Sequence, residues 1–368
     1  MRFLLVPKLE EVHRFNSLTV CPLSLVKAML MQTDSRFVIA VHEDFAKDRS
    51  WLSRYWLTPA EQERVKLLPI SKHLIGDSSR PKKLGHVIGT ALFNQIGPLS
   101  DDCKYIDAII ADGVFASHAA LRVAAQGTYP RGMQRRIPLI AWAEMVISHK
   151  WSSWIFNEYD WQAHTLGVMY ADWTIWQSKF VERDFMQGLS KLVNAKVIDQ
   201  VMSRSTMIPS GIMCDRLYPR GPYDPSRYRA AKPVVLWSGY WDEDFREVVP
   251  QLIEAYKMNA VSKVIVHVMP QFVPIDPDAL KTLASLDGVE VHEHMPQDEY
   301  FKLIARADVF VATAKAHTYG LRYGEMIASN VFPLVGPDLK LNFLPDDFPM
   351  IRASNEICLL YTSDAADE

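Results

Sequence analysis

The stretch Val309–Val335 constrains the fold more than any other part of the chain. Val309–Ala314 is an apolar run rich in β-branched residues, with the length and uniform hydrophobicity of a buried parallel strand. A polar turn, Lys315–Gly320, follows, and from Leu321 the apolar positions Leu321, Met326 and Ile327 fall on one side of a helix that ends near Asn330. Phe332–Val335 reads as the next strand, closed by Gly336-Pro337, which extends neither element. Strand, tight turn, helix and strand in this order predict a parallel sheet with helices packed on it.

The turn and first helical turn are where such a unit does chemistry. Gly320 lets the backbone approach a ligand closely, and the helix N-terminus offers unpaired N–H groups and partial positive charge, a setting for a diphosphate. Glu325, one turn into the helix, is placed to accept hydrogen bonds from a neutral polyol such as a ribose. The competing reading is a helix that only packs on its sheet and leaves Glu325 in solvent.

The run His317-Thr-Tyr-Gly-Leu-Arg-Tyr-Gly-Glu325-Met-Ile-Ala-Ser-Asn-Val-Phe-Pro-Leu-Val335 resembles the C-domain signature of retaining GT-B glycosyltransferases, especially glycosyltransferase family 4. The family pattern is Glu, any residue, Phe-Gly-Leu, three residues, Glu-Ala-Met-Ala, any residue, Gly, any residue, Pro-Val-Val. The resemblance implies that Glu325 grips the ribose of a nucleotide-sugar. His317 stands where the family has the Glu that contacts the donor sugar, a departure that bears on sugar identity, because imidazole does not copy an acceptor-only carboxylate.

A second segment, Val234-Val-Leu-Trp-Ser-Gly-Tyr-Trp-Asp-Glu-Asp-Phe-Arg246, matches the family strand that ends in Gly-Arg and is followed about five residues later by Lys. Those two cations clamp the donor diphosphate. Tyr240 and Phe245 occupy their places here, and losing two charge-assisted hydrogen bonds of roughly 1.5–3 kcal/mol each weakens the donor unless other groups replace them. Arg246 and Arg322 are the candidate replacements, each otherwise a solvated arginine. The turn His294-Met-Pro-Gln-Asp-Glu corresponds to the family's region near the donor base, with Met295 contacting it through its backbone. The resemblance thus implies His317, Arg246 and Arg322 as catalytic candidates. It implies Glu325, Gly320, Leu321, Tyr319, Gly239, Tyr240 and Met295 as donor-binding residues, with no metal and no cofactor beyond the donor itself. Ala171–Met186 and Ile208–Pro219 also resemble the last strand and helix of the GT-B N-domain and its exit.

A length of 368 residues, 49% hydrophobic content and a net charge of −3 bound the chain to about two globular domains. Arg80-Pro-Lys-Lys83 is a short basic cluster, not the stripe of a nucleic-acid module. No apolar run approaches the roughly 18 residues of a membrane span, and the N-terminus turns charged too early for a secretory signal, so a cytoplasmic location is expected. Cysteines at 21, 103, 214 and 358 have the spacing of neither a zinc site nor a disulfide frame. The last eleven residues, Cys358–Glu368, resemble translated sequencing-adaptor read-through, which implies a native sequence ending near Ile357 and a truncated C-terminus.

Elsewhere the pattern alternates. Strands are expected at Arg2–Val6, Phe37–Val41, Tyr105–Ala111, Ile137–Trp142 and Ala171–Gln177, and helices at Cys21–Met31, Trp51–Leu67 and Leu84–Ile96, with another after Ser178, which is placed to cap it. A Pro-, Gly-, Tyr- and Arg-rich linker follows, and beyond it strands are expected at Val234–Trp237, Val264–Met269 and Val289–His292, with helices from about Glu243, Pro277 and Gln297. Asp112, at a strand end, is a ligand contact or a helix cap. Six of the ten tryptophans lie between Trp142 and Trp176, either as sugar-stacking surfaces or as core, and Trp151, Trp154 and Trp161 fit one helical face. Asn157–Asp160 and His164 line the acceptor side or an ordinary helix surface. Asp242–Asp244 is a cation site or an acidic helix start, and His292 and His294 share one strand face.

The expected architecture is α/β of GT-B type, two Rossmann-like α/β/α domains facing a cleft. Residues 1–220 form the acceptor-side domain, 221–232 the linker, 233–357 the nucleotide-sugar domain and 358–368 a non-native tail. The activity the resemblance implies is transfer of a hexosyl group, with retention, from a nucleoside-diphosphate sugar to a glycan, lipid-linked or protein acceptor. The alternatives are a non-catalytic glycan- or partner-binding module, a nucleotide-sugar epimerase, and a nicotinamide dehydrogenase, which the absence of G-x-G-x-x-G after the first strand disfavours.

Overall fold

The computed structural model describes residues 1–7, 17–54, 57–70, 104–112, 116–130, 132–133, 135–143, 162, 165–209, 211–212, 214, 217, 232–240, 243–269, 276–293, 295–312, 320–336 and 351–352. The chain divides into two units, Met1–Gly211 and Ile212–Glu368.

In the first unit, strands β1 (Arg2–Val6), β2 (Arg36–His42), β3 (Val65–Ile70), β4 (Ala108–Asp112), β5 (Leu139–Ala143), β6 (Trp173–Trp176) and β7 (Ser205–Met207) form one sheet in the order β3-β2-β1-β4-β5-β6-β7. Every pair is parallel. Sequences such as FLLV and FVIAV are apolar without alternation because helices bury both faces of a parallel sheet. Those helices include α1 (Ser17–Gln32), α5 (Ala116–Gly127), α6 (Lys179–Leu189) and α7 (Ala195–Ser203). Ser178 caps α6 by accepting from the Val181 N–H, as expected, and Asn194 caps α7 in the same way.

The expected helix Trp51–Leu67 is corrected. Two single-turn helices, α2 (Glu43–Ala46) and α3 (Trp51–Arg54), precede α4 (Pro59–Gln62), and the chain then enters β3. Thr58 and Glu61 form a capping box with Pro59 behind it, which starts a new helix and rules out a continuous one. The VKLL that completes the helical pattern instead pairs with β2, and Pro69 is tolerated because β3 is an edge strand. Leu84–Ile96 lies outside the described residues. Helices α5 and α7 and strand β7 were not anticipated from sequence.

The second unit repeats the plan. Strands β8 (Val234–Tyr240), β9 (Lys263–Met269), β10 (Val289–Glu293), β11 (Val309–Ala312), β12 (Phe332–Val335) and β13 (Ile351–Arg352) lie in the order β10-β9-β8-β11-β12-β13, all parallel. Helices α8 (Glu243–Lys257) and α9 (Pro277–Ala284) cover one face through Val248, Val249, Leu252, Leu280 and Leu283. Helices α10 (Gln297–Ile304) and α11 (Leu321–Ala328) cover the other through Tyr300, Phe301, Tyr323 and Met326. Leu217 joins this second core, and Ile212 packs against it. Both sheets therefore run out from a first strand, return past it and continue, the doubly wound order of a Rossmann sheet.

Each unit has the same aspartate bond within its own sheet. The carboxylate of Asp107 accepts from the Arg2 N–H at 2.7 Å, and that of Asp308 accepts from the Val234 N–H at 2.8 Å. Each aspartate lies just ahead of the strand flanking the first one and satisfies a backbone donor where that first strand begins.

Candidate functional site

Ser238 on β8 and His267 on β9 are direct partners in the parallel register, so their side chains leave the same sheet face. Both are buried, and Ser238 Oγ and His267 Nδ1 are 2.9 Å apart in a hydrogen bond. Tyr300 of α10 lays its ring against the imidazole, with centroids 4.9 Å apart. The Tyr300 hydroxyl is buried beside Ser238 and Glu325 with no well-aligned hydrogen-bond partner among the described residues, and its pKa is pushed up by burial and then by Glu325.

Helix α11 meets this group from the far side. Gly320 sits at its N-cap with φ 77° and ψ 44°, a left-handed conformation that only glycine adopts readily, and as a glycine it makes no side-chain cap bond. Tyr323 stacks on Phe310 of β11, with centroids 5.6 Å apart and planes 8° from parallel, which fixes the rotation of α11. That rotation aims two titratable side chains. Arg322 Nη1 donates to the Ser238 carbonyl at 2.7 Å, and its guanidinium lies over the Tyr323 ring. Glu325 turns inward and is 9% exposed, which corrects the reading that left it in solvent.

Among the described residues no hydrogen bond or ion pair reaches the Glu325 carboxyl. Desolvation pushes its pKa up to about 8, with the positive charge of Arg322 opposing the shift. The group is therefore mostly protonated at neutral pH, and a neutral carboxyl both donates and accepts a hydrogen bond. A buried polar group without a partner costs about 1–3 kcal/mol, a cost that a ligand hydrogen-bonding to it would relieve.

The place is the one where open α/β sheets bind ligands. Strand order reverses between β8 and β11, and the ends of β8 and β9 and the start of α11 lie at that switch point.

The structure brings together Gly320, Leu321, Arg322 and Glu325 at one helix end, with the carbonyl of Ser238, next to Gly239, tied to Arg322. Gly239 is tightly covered: a Cβ there would lie 2.3 Å from the Trp237 ring. Tyr240 closes β8. Phe245 is turned away into the core, edge-on to Trp237 at 5.3 Å. Arg246 is exposed on α8 and makes no hydrogen bond or ion pair among the described residues. Met295 packs its side chain against the α10–α11 core.

His317 and Tyr319 lie outside the described residues, as do Asp242, His294, Asn157–Asp160, His164 and the three tryptophans at 151, 154 and 161. His292 bonds Glu290 through Nε2 at 2.6 Å, and Arg306 and Lys263 also hold that carboxylate, whose pKa falls to about 2 chiefly through Arg306.

Ser238, His267 and Tyr300 were not anticipated from sequence. The available signal was a lone polar residue inside an otherwise apolar strand, His267 in VIVHVM, since such a residue needs a buried partner.

No protein-family model and no curated protein matches this chain. Solved structures do. The catalytic domain of starch synthase IV from Arabidopsis thaliana, bound to ADP and acarbose, aligns with a TM-score of 0.63 at 10% identity, covering 99% of this chain and 91% of that one. WaaG, a glycosyltransferase involved in lipopolysaccharide biosynthesis, aligns at 0.58 and 12% identity over 100% and 91%. The UDP-GlcNAc 2-epimerase of Methanocaldococcus jannaschii aligns at 0.56 and 10% identity over 99% and 92%. With a doubly wound parallel sheet in each unit and these alignments along its whole length, the chain has the GT-B fold.

Proposed function

We propose that the second unit binds a nucleoside-diphosphate sugar at the start of α11 and that the protein transfers its hexosyl group, with retention, to a glycan, lipid-linked or protein acceptor carried on the first unit. The observation that carries this reading is Glu325, a nearly buried carboxyl with no partner among the described residues, one turn inside a helix that opens on a left-handed glycine. A ribose diol satisfies such a carboxyl, and the diphosphate then lies toward Gly320 and Leu321. As the glycosidic bond to the diphosphate breaks, negative charge grows on the leaving oxygen. The backbone N–H groups at the helix start and the Arg322 guanidinium stabilise it, a role that the clamp positions Tyr240 and Phe245 do not fill with charge. His317, Tyr319 and Met295 complete the donor site in this reading.

Two solved structures of this fold support the donor class: the starch synthase structure holds ADP, and the UDP-GlcNAc 2-epimerase of Neisseria meningitidis was solved with UDP-GlcNAc bound. The test is thermal unfolding with UDP-, GDP- and ADP-sugars beside Glu325→Ala. A ligand at about 100 times its Kd stabilises by roughly 2.7 kcal/mol. A shift with one nucleotide that the variant abolishes is expected; no shift with any of them refutes the donor site. Turnover of the nucleotide-sugar without acceptor assigns an epimerase instead.

A further inference from the structure

We propose that His267 is a positioning residue for the donor diphosphate, acting through Ser238 on Arg322; the inference rests on the donor-site reading above. Ser238 is held at both ends. Its hydroxyl bonds His267 Nδ1 at 2.9 Å, and its carbonyl accepts from Arg322 Nη1 at 2.7 Å. The imidazole is 6% exposed and is clamped by the Tyr300 ring, so it is a rigid support and not a ligand contact. The arrangement crosses four elements, β9, β8, α10 and α11, and ends on the guanidinium.

The physical need is specific. An arginine side chain has about 2 kcal/mol of rotamer entropy to lose, so a guanidinium already tied to a fixed carbonyl meets a phosphate at less cost than a free one. The carbonyl it grips lies near the end of β8: among the described residues β8 pairs with β11 at Val235, Leu236 and Trp237, and on its other side Ser238, Gly239 and Tyr240 pair with His267, Val268 and Met269 of β9. The Ser238–His267 side-chain bond reinforces that one-sided pairing at the residue whose carbonyl holds Arg322. Arg322 also lies one helical turn nearer the N-terminus than Glu325. A nucleoside anchored at Glu325 therefore sets its distal phosphate, more than its proximal one, against Arg322.

The experiment is calorimetric titration of UDP, ADP and GDP, each beside its own monophosphate, into wild type, His267→Phe, His267→Gln and Ser238→Ala, with circular dichroism confirming that each variant is folded. One diphosphate is expected to bind wild type. His267→Phe and Ser238→Ala should each weaken it about tenfold, the effect of loosening one charge-assisted hydrogen bond, while leaving the monophosphate within about twofold. His267→Gln, which keeps a polar partner for Ser238, should recover most of the loss.

Ser238→Ala removes one oxygen and tests the link even if the larger change at 267 unfolds the protein. Equal weakening of diphosphate and monophosphate, or no change in either, overturns the positioning role while the donor site stands. Wild type that binds none of the nucleotides overturns both readings.

Discussion

Replacing Glu325 by glutamine keeps the shape of the side chain and removes its proton. In the unfolded chain the carboxyl ionises near its ordinary value of 4.5, whereas in the folded protein burial holds the proton until about pH 8. Between those values the folded state binds a proton that the unfolded state has released, so stability falls as pH rises. The favourable contribution is fully present below about pH 4.5 and is lost as pH climbs through 8. One pKa unit corresponds to about 1.36 kcal/mol, which puts the whole loss on the order of 5 kcal/mol and the part already lost at pH 7 near 3 kcal/mol.

Glutamine never ionises, and its amide is no better partnered than the neutral carboxyl. Glu325→Gln should therefore lie within about 1 kcal/mol of wild type at pH 5 and exceed it by about 4 kcal/mol at pH 8, or roughly 8–16 °C in Tm for a unit of this size. The assay is thermal or urea unfolding of both proteins from pH 5 to 8.5 without ligand, in which every other titrating group cancels in the difference. Parallel curves would refute the argument, because they would mean that Glu325 is already ionised and solvated in the folded state. A stabilised variant that no longer binds nucleotide would show a carboxyl kept for its ligand at the expense of stability.

Three further outcomes follow from the geometry. Lys27 and Glu61 form a nearly buried ion pair at 2.7 Å, with both side chains about a tenth exposed, and the Lys27 hydrogen bond keeps the Glu61 pKa low against its burial. Lys27→Met should cost about 3–5 kcal/mol by stranding that carboxylate, and adding Glu61→Gln should return much of the loss in urea melts. Glu290 titrates near 2, so its contribution is present above 4.5 and lost as pH falls toward 2; Glu290→Gln should cost about 1 kcal/mol at pH 7 after screening and flatten the acid-unfolding curve. Gly320→Ala forces an L side chain into a left-handed conformation and should cost about 1 kcal/mol or more while weakening nucleoside-diphosphate binding.

The fold was legible because a parallel sheet leaves a local trace. Runs such as FLLV and VFVA, which do not alternate, together with the spacing of the helices between them, are enough to state α/β. The misread segment, Trp51–Leu67, fails for a physical reason: VKLL suits a helix face and an edge strand equally, and only pairing with β2 decides between them. Gly320, Arg322 and Glu325 were legible as a group because one turn and one helix carry them.

The chain alone thus determined where the turn into α11 lies and which residues stand on it, since those depend on contacts within a few residues. Tertiary structure decided their chemistry. Glu325 holds its proton because residues from other elements exclude water around it, and Arg322 is aimed by a carbonyl from a strand distant in sequence. Ser238, His267 and Tyr300 meet only once β8, β9 and α10 have assembled. Desolvation and long-range hydrogen bonding are properties of the packed molecule, and no local pattern encodes them.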